Sequence, residues 1–270
     1  MKKKTTSLKL VFASITVACV LFTGCAKAPQ EAQRRTIKAG TSADYPPFEF
    51  ISYGEFHGLD IDVAYALARE LGYELEIKDI EFSNLIQALH SKRVDFVISS
   101  MTATEQRMKN VDFSIPYYSP SFAVISKKDA PINTEQDLMG KRIGVQLGST
   151  MEQYAQQLSK DNNGQITIES RNLNPQLIQE LLVGRIDGVV IEESQASAFV
   201  KNTYTLTYAL LPKKEAGYAI AFRKGSPLKA EFDKALKELE ANGKLQAIIE
   251  KWINKDYVEP NPTLENLPNE

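Results

Sequence analysis

The chain has 270 residues, 43% of them hydrophobic and 24% charged, with a formal net charge of −2. That is the makeup of an ordinary folded protein, long enough for one large domain or two small ones. Two histidines and two cysteines are too few for a zinc site or a His-based nucleophilic triad, and the slightly acidic balance argues against nucleic acid as a partner.

Lys2-Lys3-Lys4 precede an apolar stretch, Leu10 to Phe22, that is too short to span a bilayer. Residues 1–24 are therefore predicted to be a leader. Leu21-Phe22-Thr23-Gly24-Cys25 resembles a bacterial lipoprotein signal, which implies cleavage before Cys25 and lipidation of its thiol, although Phe22 replaces the usual aliphatic residue. Cleavage removes Lys2, Lys3, Lys4 and Lys9 and no acid, so the net charge moves from −2 to −6 (−2 − 4 = −6). Cys25 is then the single cysteine left and cannot form an internal disulfide. Residues 25–36 read as a tether.

Thr36 to Thr41 reads as a strand, followed by a loop made rigid by Pro46-Pro47. Gly58 opens a helix with Leu59, Val63, Leu67 and Leu71 on one stripe, with Asp60 and Asp62 in its first turn and Gly72 as its stop. Tyr73, Leu75 and Ile77 alternate as a strand. Further strands are expected at Phe122–Ile125, Arg142–Val145, Ile166–Ile168, Leu206–Leu210 and Gly217–Phe222. Helices are expected at Met151–Leu158, at Glu192–Val200 and from Pro227, as N1, to Gly243. Leu245, Ile248, Ile249 and Trp252 form a last apolar face, with Trp252 as core. Residues 259–270 read as a frayed tail.

One segment occurs twice. Leu85–Ile98 (LIQALHSKRVDFVI) is echoed by Leu177–Val190 (LIQELLVGRIDGVV), at a constant offset of 92 and with no gap (177 − 85 = 92). Each copy reads as amphipathic helix, turn and buried strand. Two copies of one unit, with strands alternating with helices, predict two α/β lobes with parallel sheets. The chain is expected to leave lobe 1 near Ser119–Phe122 and return near Ala216–Tyr218. This gives lobe 1 as 37–119 plus 218–258, lobe 2 as 120–217, and two crossings that can act as a hinge.

Ligands in open α/β sheets sit off the carboxyl ends of strands. The first copy runs there into Ser99-Ser100-Met101-Thr102, the second into Glu192-Glu193. Thr104 can N-cap a short helix that carries Arg107, whose planar fork suits a carboxylate. Gly148-Ser149-Thr150 is a second strand-to-helix turn able to cradle an anion, and it is not a nucleotide P-loop. Glu192 is a candidate partner for an ammonium, and Tyr45 and Phe82 are candidate aromatic walls. A carboxylate fork, an ammonium partner and aromatic walls split over two lobes complement a free α-amino acid.

At this point the chain resembles the periplasmic-type amino-acid-binding proteins of ABC importers, in their polar and basic amino-acid subgroup. The matching segments are Gly40–Phe50 (GTSADYPPFEF), Gly58–Asp62 (GLDID), Arg93–Arg107 (RVDFVISSMTATEQR), Val111–Tyr118, Gly140–Thr150 (GKRIGVQLGST), Gly184–Glu193 and Ala219–Leu228 (AIAFRKGSPL). The resemblance implies a two-lobe, type II clamshell, each lobe a mixed, mostly parallel sheet flanked by helices, that closes on its ligand. It implies that Arg107, Ser100, Thr102 and Thr150 hold the α-carboxylate, and that Glu192 holds the α-ammonium with Ser99 or Thr102. Tyr45 and Phe82 would sandwich the side chain, and Met101, Gln146 and Ser149 complete the candidate set. Two departures stand out: Glu192 where many members carry Asp, and Ser42 where some binders of basic ligands carry an acid. A basic side chain would then be read by Asp44, Glu49, Glu81 or Glu193.

The implied function is the solute-binding component of an amino-acid importer, with arginine favoured, without cofactor or metal. It would be a monomer, lipid-anchored in the cell envelope and serving an inner-membrane ABC permease. The alternatives are a glutamine or other polar amino-acid binder, or an enzyme on the same scaffold resembling the cyclohexadienyl dehydratases, with Glu192 or Glu193 as general acid. A sensory module is the third reading, and the early end of the chain argues against it.

Overall fold

The computed structural model describes residues 35–253 apart from residue 215. The leader at 1–24, Cys25, the tether up to residue 34 and the tail lie outside the described residues.

Strand β1 (Thr36–Thr41) enters first, followed by a small antiparallel sheet of β2 (Asp44–Tyr45), β3 (Glu49–Ser52) and β4 (Glu55–His57). The segment expected as a rigid loop thus carries short strands around Pro46-Pro47, too short to leave a periodic signal in the sequence. Helix α1 (Leu59–Glu70) follows, then β5 (Glu74–Asp79), α2 (Leu85–His90), β6 (Phe96–Val97), the short α3 (Glu105–Met108) and β7 (Val111–Phe113). After the first crossing come β8 (Ser121–Lys127), β9 (Arg142–Gln146), α4 (Thr150–Asp161), β10 (Thr167–Arg171), α5 (Asn174–Leu182), β11 (Gly188–Glu192), α6 (Glu193–Lys201) and β12 (Leu206–Lys214). The chain returns through β13 (Ala221–Arg223) and ends in α7 (Leu228–Ala241) and α8 (Lys244–Ile253). Pro227, expected at N1, takes the cap position of α7.

Two five-stranded sheets result, ordered β5-β1-β6-β13-β7 and β10-β9-β11-β8-β12. In each, the strands joined through helices pair in parallel, whereas β13 and β8, which enter directly from the crossings, pair antiparallel to their neighbours. The sheets are mixed because a strand fed from the hinge arrives with the opposite polarity.

The sequence repeat occupies equivalent places. Its strands, β6 and β11, are third in each sheet, and its helices, α2 and α5, pack over β1 and β9. The packing is close enough to need glycine on the strand beneath. A Cβ on Gly40 of β1 would lie 3.3 Å from Val94 and 3.4 Å from Leu85, and one on Gly144 of β9 would lie 2.6 Å from Ile186 and 2.9 Å from Leu177. Leu85 matches Leu177 and Val94 matches Ile186 at the offset of 92.

The crossings run side by side. Tyr117 N–H donates to the Tyr218 carbonyl (2.9 Å), and Tyr218 N–H donates to the Tyr118 carbonyl (2.8 Å). Phe48, fully buried, meets the rings of Tyr118 and Tyr218 edge-on, at 5.1 and 5.6 Å. This aromatic layer ties β2–β3 to the hinge. Trp252 is buried against Phe50, and its indole N–H donates to Asp62 (2.7 Å), as a core residue with a polar tip does.

Candidate ligand-binding cleft

A cleft with about 320 Å³ of space, part of it open to solvent, lies between the two sheets' strand ends. Its first wall starts from Arg107. The Thr104 hydroxyl caps α3 by accepting from the Arg107 backbone N–H (3.2 Å), which fixes where the side chain begins. Arg107 Nη1 donates to the Thr102 carbonyl (2.8 Å), and Nη2 crosses to the Gly148 carbonyl (3.0 Å). Phe82 stacks against the guanidinium, with its ring centre 5.3 Å from Cζ. Carbonyl and ring together set the plane of the fork, and Phe82, Thr102 and Arg107 all line the cavity.

The second wall is the end of β9 and the start of α4: Gln146, Ser149, Thr150 and Met151. Ser149 caps α4 by accepting from the Glu152 N–H (3.1 Å), while Glu152 reaches back to the Gly148 N–H (2.7 Å). This reciprocal cap holds the Gly148 carbonyl where Arg107 meets it.

Asp44 joins the walls. It accepts from the Ser42 hydroxyl (2.9 Å) on its own side, and from the Asn174 backbone N–H (2.8 Å) at the start of α5 on the other. Gln146 Nε2 stands 3.5 Å from both its oxygens. At the rim, Asn172 Nδ2 donates to Glu81 (3.2 Å). With these bonds made, the cleft is closed. Burial pushes the Asp44 carboxyl above the usual carboxylate range.

Behind Tyr45, which is itself buried, lies a second group of acids. Glu49 accepts from the Ser99 hydroxyl (3.0 Å) and the Ser100 hydroxyl (3.1 Å) and lines the cavity. Asp60, in the first turn of α1 as expected, is fully buried. Its Oδ2 accepts from the Ser100 N–H (2.6 Å) and the Tyr117 hydroxyl (2.8 Å). Ser100 is held at φ +46°, a strained conformation for a non-glycine residue that aims its N–H at Asp60.

The cavity thus brings together Tyr45, Phe82, Ser99, Ser100, Thr102, Arg107, Gln146, Ser149 and Thr150. Two candidates stand apart from its lining. Met101 is buried in an apolar cluster with Leu85, Leu89 and Val97, beneath the strand ends. Glu192 is occupied as the cap of α6, accepting from the N–H groups of Ser194 (2.7 Å) and Gln195 (3.2 Å), with the Tyr118 hydroxyl 3.4 Å from its other oxygen. Burial raises its pKa to about 7. Among the acids considered for a basic side chain, Asp44 and Glu49 line the cavity, whereas Glu81 and Glu193 do not. Ser42, Met151 and Tyr218 also line it. Met151 follows Gly148-Ser149-Thr150 directly, and Tyr218 sits on the return crossing. Ser42 was already marked as the departure from an acid, whereas only position next to suspected segments could have marked Met151 and Tyr218.

Among the described residues no cluster of His, Cys, Asp and Glu is arranged to hold a metal ion, and no helix is long and apolar enough to cross a membrane.

Residues 37–255 match the model of the bacterial extracellular solute-binding proteins, family 3, and the chain belongs to that family. The fold is the two-lobe arrangement of type II periplasmic binding proteins. The chain is 42% identical over 246 residues to the arginine-binding extracellular protein ArtP of Bacillus subtilis strain 168, covering 88% of this chain and 96% of that one. It is 34% identical over 232 residues to the L-cystine-binding protein TcyJ of Escherichia coli strain K12, covering 83% and 85%. The solved structure of an ancestral arginine-binding protein bound to arginine superposes with a TM-score of 0.77 at 39% identity, covering 81% of this chain and 98% of that one.

Proposed function

We propose that this protein captures free arginine, or a closely related cationic amino acid, and delivers it to an ABC permease in the membrane. The observation that carries the reading is the closed cleft, with Arg107 set on one wall and the carboxylates of Asp44 and Glu49 facing the same space. The guanidinium fork is the receptor for the α-carboxylate, with hydroxyls of Ser100, Thr102 and Thr150 nearby. Tyr45 and Phe82 flank the aliphatic stem. Glu192 lies outside the cavity lining but next to Tyr45 and Tyr218, which belong to it, and the α-ammonium goes toward it from that side, with the capping bonds kept. The ligand touches both lobes, so its binding energy goes into holding them together. Similarity to a relative named arginine-binding supports the choice of cation.

Reversible capture needs no covalent chemistry, and we assign no enzymatic step. A cleavable leader with lipidation at Cys25 would tether a monomer to the envelope. Metabolic labelling with a clickable fatty acid tests the anchor: Cys25→Ser is expected to lose the label and leave the membrane fraction.

A second reading, binding of cystine or another polar amino acid, is favoured by the relative named for cystine. A thermal-shift screen of the twenty amino acids and cystine separates the two. At 100 times its dissociation constant a ligand adds about 2.7 kcal/mol of stability, so the true ligand produces the largest shift. Arginine is expected to rank first, and a larger shift with cystine would replace it.

A further inference from the structure

Glu49 and Asp60 are bound by the same residue: the Ser100 hydroxyl donates to Glu49 (3.1 Å) and its N–H to Asp60 (2.6 Å), which sets the two carboxyls side by side. Both are almost fully excluded from solvent, at 1% and 0% exposure. Neither has a basic partner among the ion pairs of the described residues. Their hydrogen bonds are unequal. Glu49 receives both serine hydroxyls. Asp60 receives a backbone N–H and a phenol on Oδ2, whereas its Oδ1 is buried with no donor. A buried acceptor beside a second carboxylate is satisfied only if one of the two acids carries a proton. Two adjacent buried carboxylates also cannot both ionise at modest cost. The other titratable groups bearing on Glu49 are the phenols of Tyr117 and Tyr45, and Asp44 and Arg107 line the same cavity. Burial raises Asp60 to about 6, against hydrogen bonds from Ser100, Tyr117 and Glu49 that lower it, while burial and the charge of Asp60 push Glu49 well above its ordinary range.

Building on the reading above, we propose that Glu49 and Asp60 share one proton in the ligand-free cleft, and that a cationic side-chain head seated against Glu49 displaces that proton to solvent. One positive charge leaves as one enters, so the site keeps one net negative charge: both carboxylates are ionised and the cation stands in the place of the proton. A guanidinium cannot give up its own proton, and a cation set against the pair lowers its pKa, so the proton released on binding comes from the dyad. A neutral, hydrogen-bonding head leaves the shared proton in place. The dyad is thus a charge reader at the far end of the ligand from Arg107, and the linkage has a sign: the bound state holds fewer protons, so affinity for a cationic ligand rises with pH until the free dyad has lost its proton.

The test is titration calorimetry at pH 7 in two buffers of different ionisation enthalpy, with L-arginine and its neutral isostere L-citrulline. A proton exchanged at Glu192 belongs to the α-ammonium and appears with both ligands, so the difference between them reports the side-chain head. Arginine is expected to release about one proton more than citrulline, which corresponds to an extra affinity gain of up to about tenfold per pH unit. Glu49→Gln and Asp60→Asn are each expected to remove that excess, and Glu49→Gln to weaken arginine by at least about 30-fold and citrulline by less. Melting curves check that the variants fold, and the wild-type comparison decides without them. Arginine binding with the same proton count as citrulline overturns the proposal alone. An excess that persists in both variants moves the charge reader to Asp44 and also overturns it. No arginine binding at any concentration overturns both the proposal and the reading it rests on.

Discussion

Asp44 accepts the backbone N–H of Asn174 at 2.8 Å, across the cleft from one lobe to the other. The donor is in the first turn of α5, whose other backbone groups follow the helix, so a single carboxylate oxygen in lobe 1 fixes the position of a whole element in lobe 2. Further links cross from Arg107 to the Gly148 carbonyl and from Asn172 to Glu81. Closure rests on these directional contacts, because the hinge itself is two short crossing segments that can twist.

Asp44→Ala removes the acceptor and leaves the Asn174 N–H to water in an opened cleft. We expect the ligand-free protein to shift toward open forms, seen as a larger radius of gyration by small-angle scattering. Ligand affinity should fall by roughly 5- to 100-fold, the equivalent of about 1–3 kcal/mol for a buried hydrogen bond to a charged or partly charged group. An unchanged radius would show that closure does not depend on Asp44.

Gly144→Ala probes the packing of the repeat. The added Cβ would sit 2.6 Å from Ile186 and 2.9 Å from Leu177, both buried, so the α5 unit must shift. Overpacking of this kind costs about 1–3 kcal/mol, a fall in Tm of roughly 3–10 °C for a protein of this size. Gly40→Ala has 3.3 Å to its nearest neighbours and should cost less. Differential scanning calorimetry of the two variants checks the order, and equal Tm values would contradict it.

The first of these relationships could not be read from the sequence, and the second could. Leu85 and Leu177 recur at a fixed offset, and helix period and apolar runs are local patterns, so α2, β6, α5 and β11 were legible. So were Thr104 as a cap, Arg107 as a cleft residue and Ser149-Thr150 at a helix start, since each depends on a few neighbouring residues. Asp60 was not. Its first-turn place spoke for the helix dipole and said nothing of Ser100 and Tyr117, its hydrogen-bond partners 40 and 57 residues away. Met101 shares a segment with three cavity-lining residues, yet its side chain goes into the apolar cluster beneath them. The strands β2–β4 have two to four residues each, below the length at which alternation is visible.

The pH dependence of stability follows from Glu192. Its carboxyl is raised from an ordinary 4.5 to about 7 by burial, so between these values the folded protein holds a proton that the unfolded chain has released. Stability must therefore fall as pH rises through this window and level off above about 7. The shift of about 2.5 from 4.5 to about 7 sets an upper limit near 3 kcal/mol, at about 1.4 kcal/mol per unit. Urea midpoints at pH 5 and pH 7.5, without ligand, should show the fall. Glu192→Gln should flatten it, though the variant also loses part of its helix cap. A stability that rises over this range in the wild type would refute the assignment.

Phe82→Ala strips the ring from the Arg107 guanidinium and one wall from the cavity. Loss of a partly buried cation–π contact costs about 0.5–2 kcal/mol, so affinity should drop by roughly 2- to 30-fold, with Tm nearly unchanged because Phe82 lies in a short turn before α2. Unaltered affinity by calorimetry would place the ligand elsewhere.

The most direct test of the account is titration of L-arginine into the wild type and into Arg107→Ala, at pH 7.5 by calorimetry. The account predicts one-to-one binding to the wild type at about 1 μM or tighter, near −8 kcal/mol. The variant leaves the ligand carboxylate without its fork in a closed cleft, a loss of roughly 2–5 kcal/mol that takes binding to the edge of detection. Arginine binding with near-equal affinity to both proteins would contradict it.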